Sequence, residues 1–545
     1  IEDDREDNAV QAQQRNPQEE ECLGDFLYAS EPPEDDIPPS SSTSRGSTPS
    51  FTGHWYTRLS NSKSSSGSYD RSPKFARNDR CKESVKAWLE DLEGEVEIEC
   101  VVTLQSKALP KRIVREETTE EVQTRDLRIM TATATAAATE LLARADGFSK
   151  HIREIIDKIS SLASGRSERE LIRSIEDEAF SLLSELGAPP PRRIHEGSLR
   201  SIVAQLDALE HSVDSIVNNR LDFYIERVVR GLEDAPRESG SAARGALAAL
   251  TALGLAGVRA GNSIARCSGV RALLTSLISA GRLSSELRAS TLRALCSVCC
   301  CPLAINKFVK EGGPEILVDL LASKTAPEKE KMEATALVVQ ITAPWTDARG
   351  LKHLEPFAHI LVDILITLAE DTSCGQTLLL AAAALNNLGE SKKCVYAIVQ
   401  NDVVRKILRC VKKSVGGNIW LMEQVASLIG KLAKFPEVRG HLARARASVA
   451  LVCFLRMAPP GLEEAYQRLA VTAAAALTRL CVDSEIAKQV VAVGGADCLP
   501  NYNTDDGGDD DDEEVGLLKY TRSLRVACRK AAKHIDEAKA TDYSA

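Results

Sequence analysis

The feature that most constrains this chain is a pair of apolar residues, three apart, that recurs six times in Ala-rich stretches of its second half. The pairs are Leu250/Leu253, Leu295/Val298, Val338/Ile341, Leu385/Leu388, Ile429/Leu432 and Leu477/Leu480. Residues three apart share one face of a helix, so each pair predicts a helix with a single buried face. Successive spacings are 45, 43, 47, 44 and 48 residues. A unit of this size has too little apolar surface to close a core alone, so stacking on its neighbours is what makes it stable.

Helical repeats of roughly 40 to 47 residues belong to the HEAT and armadillo class. Gly269, Gly313 and Gly495 recur where a new helix should begin, and a glycine there lets one helix stop and the next start within a residue or two. The expected fold class is all-α, an armadillo-repeat right-handed solenoid over residues 240–500, preceded by a helical region and a disordered N-terminal tail. The helical region is read over residues 117–234, from faces such as Ile152, Ile155, Ile156, Ile159, Leu162 and Ile202, Leu206, Leu209, Val213, Ile216. The second set spans about two heptads, which suits a bundle within the chain better than a coiled-coil dimer. An acidic loop at 505–514, with eight carboxylates in ten positions, interrupts the last repeat, and residues 517–538 read as a C-terminal capping helix.

Residues 1–80 are rich in Glu, Asp, Ser, Pro and Arg, a composition that buries too little to offset chain entropy, so an acidic, Ser-rich disordered tail is expected there. A formal charge of −10 argues against nucleic acid as the main partner. Several of the fifteen cysteines sit inside apolar helical patterns (Cys296, Cys299, Cys300, Cys301, Cys453, Cys481), as expected of thiols in a reducing compartment. No apolar run approaches the roughly 20 residues of a transmembrane span. There is no Gly-rich phosphate loop, no Gly-x-Ser-x-Gly elbow and no His-Glu-x-x-His helix, so no enzymatic activity is expected. The one Cys-x-x-Cys, Cys296 to Cys299, lacks a second pair, and His353 and His359 fall on different helix faces; no metal or cofactor is expected.

Residues 83–109 differ in kind from the rest. Val85, Trp88, Leu89 and Leu92 fall at i, i+3, i+4 and i+7, an amphipathic helix that also carries Glu90 and Asp91. After Gly94 the period becomes two: Glu93, Glu95, Glu97 and Glu99 alternate with Gly94, Val96, Ile98 and Cys100. An extended stretch in an otherwise helical chain has no sheet to join, so its backbone and carboxylates need partners elsewhere, either a basic groove on another protein or this chain's own helices. A basic cluster, Lys392, Lys393, Arg405, Lys406, Arg409, Lys412 and Lys413, reads as a receptor for an acidic peptide or as a solvated face.

The helix Glu83–Leu92, the alternation ending at Cys100 and the run Leu104-Gln105-Ser106-Lys107 together resemble the signature segment of the Inscuteable family. Leu292–Cys300, Val338–Thr342 and Ala382–Asn387 look like that family's armadillo blocks. The resemblance implies that residues 83–109 bind the tetratricopeptide-repeat domain of Pins (LGN in vertebrates), in competition with Mud (NuMA). The site residues would be Val85, Trp88, Leu89, Glu90, Asp91, Leu92, Glu95, Val96, Glu97, Ile98, Glu99 and Leu104. It further implies a scaffold linking the Bazooka polarity complex to spindle orientation in asymmetric division, at the apical cortex of the cytoplasm, with a higher-order complex with Pins possible. The alternative is a generic armadillo adaptor or transport receptor with residues 83–109 as an intramolecular strap. Against a transport receptor, Trp345 is followed four residues later by Arg349 and Trp420 by Gln424, where a Trp-x-x-x-Asn ladder would place Asn.

Overall fold

Three long helices open the described part of the chain, and their apolar spacing explains their packing. Helix α1 (Thr119–Ser161), α2 (Arg166–Glu185) and α3 (Leu199–Glu233) pack on one another in a computed structural model of the chain. The structure describes residues 119–161, 166–195, 197–235, 240–279, 284–414, 418–457, 462–495 and 529–536. On α3 the buried stripe runs Ile202, Leu206, Leu209, Val213, Val217, Leu221, Ile225 and Val228. Sequence spacing placed Ile216 on this stripe, but Val217 takes the position, because the stripe keeps the 3.6-residue helical period rather than a heptad. Gly231 lies where any Cβ would collide with Thr131 of α1, so the crossing of α1 and α3 depends on its missing side chain.

The repeats follow. Helix α4 (Gly240–Leu255), α5 (Val258–Arg266) and α6 (Gly269–Ser279) form a long, a short and a middle-length helix, and α7 (Ser285–Val298), α8 (Pro302–Lys310) and α9 (Gly313–Ala322) repeat the pattern. The long helices stack in register, α4 against α7 and α7 against α10 (Glu328–Ile341), while α1 covers the other side of α4. The next short helix is replaced by a 3-10 turn at Pro344–Thr346, α11 (Leu351–Leu354) and a second turn at Glu355–Phe357, which lengthens that spacing to 47. Here Gly350 lies too close to Ile341 for any side chain.

Helix α12 (Ala358–Asp371) holds the boundary between two compact units, one ending at Ile364 and the other resuming at Leu365. In the second unit, α13 (Gly375–Leu388), α14 (Lys392–Gln400) and α15 (Val403–Lys413) form a triplet. The next is α16 (Ile419–Leu432), α17 (Pro436–Arg444) and α18 (Ala447–Arg456), and α19 (Glu463–Leu480) and α20 (Ser484–Ala492) continue the series. Here α13 stacks on α16 and α16 on α19. Among the described residues there is no strand, and residues 529–536 are helical with Ala531 and Ile535 buried. The fold is all-α and of the armadillo type.

All six apolar pairs fall in the last two turns of the long helices, and each of their residues is at most 1% exposed. Burying such a side chain is worth about 1.5–3 kcal/mol, which makes these pairs the repeated core. Prolines at the first helical positions of α8, α9 and α17 begin those helices where the amide would lack a partner anyway.

The recurring glycines have a different reason from the one their position suggests. At the four described junctions from short to middle helix, the left-handed residue is the one before the new helix: Ser268 (φ 62°), Gly312 (φ 77°), Asp402 (φ 51°) and Arg446 (φ 54°); after α20, Gly494 (φ 67°) takes the same conformation. Gly269, Gly313 and Gly495 follow it, and a Cβ on each would sit within 3.0 Å of Ile264, Phe308 or Val490, always five residues back. At Gly269 and Gly313 the missing side chain lets the middle helix pass over the short one. The left-handed turn is made by whatever precedes them, including residues with a Cβ.

Candidate protein-binding surfaces

Polar side chains on the long helices tie each repeat to its neighbour. Each α-helix leaves its last carbonyls without intrahelical donors. Gln340 of α10 donates to the Cys299 carbonyl at the end of α7 (3.3 Å), and Lys431 of α16 to the Asn386 carbonyl of α13 (2.8 Å). Arg479 of α19 does the same to Gly430 of α16 (2.9 Å). Gln340, Lys431 and Arg479 each stand two residues after the first member of an apolar pair, the position that Ala252, Ser297 and Asn387 hold in the other three repeats. Asn386 also donates to Gln424 of α16 at 2.8 Å, with both side chains buried.

At the opposite ends of the long helices, buried carboxylates meet arginines. Glu330 and Glu333 of α10 are essentially fully buried and pair with Arg288 (2.8 Å) and Arg293 (2.7 Å) of α7. Glu423 of α16 and Arg468 of α19 stand 3.7 Å apart, both nearly buried. These charges fix the register between long helices, because a slipped repeat would strand a carboxylate in the core.

Two exposed surfaces have the composition of protein-binding sites. One lies on α14 and α15. Val403, Val404, Ile407, Leu408, Cys410 and Val411 turn inward, so Arg405, Arg409, Lys412 and Lys413 share the outer face. Lys406 and Arg409 approach Glu370 at 3.9 and 3.8 Å, and Lys392 lies over the exposed Tyr396 ring at 5.9 Å. The α15 residues of this basic cluster thus lie along one exposed face, and Lys392 is exposed on the neighbouring α14. The other surface is a stripe on α3 that sequence reasoning missed. Phe223 is 41% exposed and makes an edge contact with Tyr224, while Arg220 lies 5.0 Å from both rings and Arg227 lies 4.6 Å from Phe223. Its sequence signal was an aromatic with arginines three before and four after it on a helix whose apolar stripe runs elsewhere. Arg and Tyr with exposed aromatic area are enriched at protein interfaces.

The residues expected to engage a tetratricopeptide-repeat partner, Val85 through Leu104, lie outside the described residues, as does the acidic run 505–514. Of the cysteines expected in the core, Cys296, Cys299, Cys301, Cys453 and Cys481 are buried while Cys300, in the turn after α7, is only partly so, and burial pushes the Cys481 thiol up to about 12. Among the described residues no group of three or more His, Cys, Asp or Glu side chains is placed to hold a metal, and no helix is long and apolar enough to cross a membrane.

The chain is similar to several known proteins. A human protein inscuteable homolog is 24% identical over 454 residues, covering 75% of this chain and 75% of that protein. A mouse protein inscuteable homolog is 27% identical over 209 residues, covering 37% of this chain and 36% of that protein, so this match spans about a third of the mouse relative's length. A designed armadillo repeat protein in complex with the peptide (KR)4 is 17% identical, covers 47% of this chain and 99% of its own, and superposes with a TM-score of 0.39. Residues 141–531 match the family described as protein inscuteable C-terminal, a span from within α1 past α20 that takes in every repeat. The chain belongs to the Inscuteable family, and this membership supports an adaptor role.

Proposed function

We propose that this chain is a scaffold that links the Bazooka polarity complex to the Pins (LGN) spindle-orientation machinery, with residues 83–109 as the ligand of the Pins tetratricopeptide-repeat domain. In this reading Val85, Trp88, Leu89 and Leu92 form the apolar face of a docked helix, with Glu90 and Asp91 at its edge. Glu95, Glu97 and Glu99 then run along a basic groove, alternating with Val96 and Ile98, and Leu104 follows. The armadillo repeats supply the other binding surface, and the chain acts at the apical cortex. The observation that carries the reading is the switch from helical to alternating period at Gly94, in a chain whose repeats belong to this family. A groove ligand needs an anchor helix and then an extended backbone, and this segment has both in order.

Isothermal titration of a peptide spanning residues 83–109 against the Pins repeat domain tests it. Truncating a buried aromatic anchor commonly costs about 2 kcal/mol or more, so Trp88→Ala should weaken binding roughly thirtyfold or more. Combining it with Glu97→Lys should weaken it further. Absent binding, or affinity unmoved by the double substitution, would refute the assignment.

A further inference from the structure

We propose that the basic face of α15 receives the chain's own acidic run, Asp505–Glu514. The two are complementary in charge and size. Arg405, Lys406, Arg409 and Lys413 gather four cations along the outer face of α15, in a chain whose net charge is −10. The carboxylates of Glu370 and Asp402 approach them at 3.8 to 4.0 Å, at the long edge of ion pairing, where exposed contacts contribute little. The run offers eight carboxylates in ten residues, the densest block of one sign in the sequence.

The tether is long enough. Gly495 closes the junction after α20, and a Cβ on it would touch Val452 of α18. Helix α18 packs on α15. Packed helices lie about 8–10 Å apart, and the eleven residues of α15 span about 16 Å. The ten residues from Gly495 to Asp505 reach up to about 33 Å, enough to bring the run onto α15 within one chain. A short tether holds its segment at a local concentration on the order of millimolar, so an acidic peptide arriving from outside must displace it. The run therefore works as a competitor that screens this face from other anionic ligands.

The experiment uses the full chain, a variant with all eight acids of 505–514 changed to Asn or Gln, and Arg405→Glu with Arg409→Glu and Lys413→Glu as the face-reversed control. A zero-length carbodiimide should join 505–514 to Lys406, Lys412 or Lys413 within one chain, as seen by mixing isotopically light and heavy protein. A labelled peptide of residues 501–516 should bind the neutralised variant at least about tenfold more tightly than the natural chain, and binding should fall with salt. The face-reversed chain, folded by circular dichroism, should bind it poorly. Equal peptide binding by the natural and neutralised chains, coupling only between chains, or coupling to lysines elsewhere overturns the proposal. So does binding of phosphatidylserine vesicles by the natural chain as strong as that of the neutralised one, which would mean that the face stands open to a membrane.

Discussion

The Arg479 guanidinium on α19 reaches back across the repeat boundary to donate to the Gly430 carbonyl of α16 at 2.9 Å. One repeat earlier the Lys431 ammonium does the same to Asn386, so a side chain of each helix closes the open end of the one before it. The acceptor is main chain, but the residue at 430 still matters, because a Cβ there would stand 3.3 Å from Ala476 and from the Arg479 guanidinium. Arg479→Met keeps most of the stem and removes the donors. Losing a hydrogen bond from a charged group should cost about 1.5–3 kcal/mol, read as a lower urea midpoint with an unchanged slope. Arg479→Lys should recover much of it, since lysine already fills the equivalent place at 431. A midpoint that Arg479→Met leaves in place would show that the tie contributes nothing.

The six apolar pairs were legible because burial on one face of a helix leaves a period in the sequence, and all twelve residues proved to be core. Gln340, Lys431 and Arg479 were not legible as ties, because a backbone acceptor leaves no mark on composition. The turns were half legible. Glycine at 269 and 313 marked the junctions correctly, but the left-handed conformation belongs to the residue before, where Ser268, Asp402 and Arg446 give no signal. The broken repeat at 344–357 was not legible, since its spacing of 47 is matched by the 48 of an unbroken repeat. Of the candidate sites, the basic face was visible as a cluster before its helices were known, whereas the Phe223 stripe needed α3 to reveal which way its aromatics turn. For the segment around Trp88, sequence pattern and family membership are the whole of the argument.

Gly312 and Gly313 separate the two roles of glycine within adjacent residues. Gly313→Ala pushes a methyl into the Phe308 ring and should destabilise by about 1–3 kcal/mol, the usual range for overpacking. Phe308→Leu in the same chain should restore part of the loss, giving a coupling that a double-mutant cycle measures directly. Gly312→Ala meets open space but must hold φ 77°, at a cost of about 1–2 kcal/mol that no change at Phe308 relieves. Independent effects at 308 and 313 would contradict the close approach.

The Arg293–Glu333 pair should behave asymmetrically. Glu333 is 1% exposed and accepts from Arg293 at 2.7–3.0 Å, so Arg293→Met leaves a carboxylate in the core that has lost its guanidinium. Breaking such a pair from one side costs about 3–5 kcal/mol, while replacing both partners with apolar residues of similar size is often near neutral. Arg293→Met with Glu333→Leu should therefore be more stable than Arg293→Met alone in urea unfolding. A double variant as unstable as the single would mean that other contacts, not the stranded charge, set the penalty.

Glu390 gives the second unit an acid-sensitive contact. Burial works against its ionisation, yet the ammonium groups of Lys431 (3.5 Å) and Lys434 (3.2 Å) hold the carboxyl below its usual value. The unfolded chain, with this carboxyl near its ordinary value of about 4.3, then binds protons that the folded chain does not. The stabilisation is complete above that unfolded value and is lost as the pH falls through the lower folded value. Its size is below about 1 kcal/mol, because the Glu390 side chain is 46% exposed and solvent screens the pair. Urea midpoints of the natural chain and Glu390→Gln, compared from pH 7 downward, should differ at neutral pH and converge as the medium becomes acid. A gap that widened on acidification would reverse the sign and exclude this contact as its source. Lys431 also donates to the Asn386 carbonyl, so removing its carboxylate partner at 390 should loosen the tie between α13 and α16, seen as faster amide exchange at the end of α13.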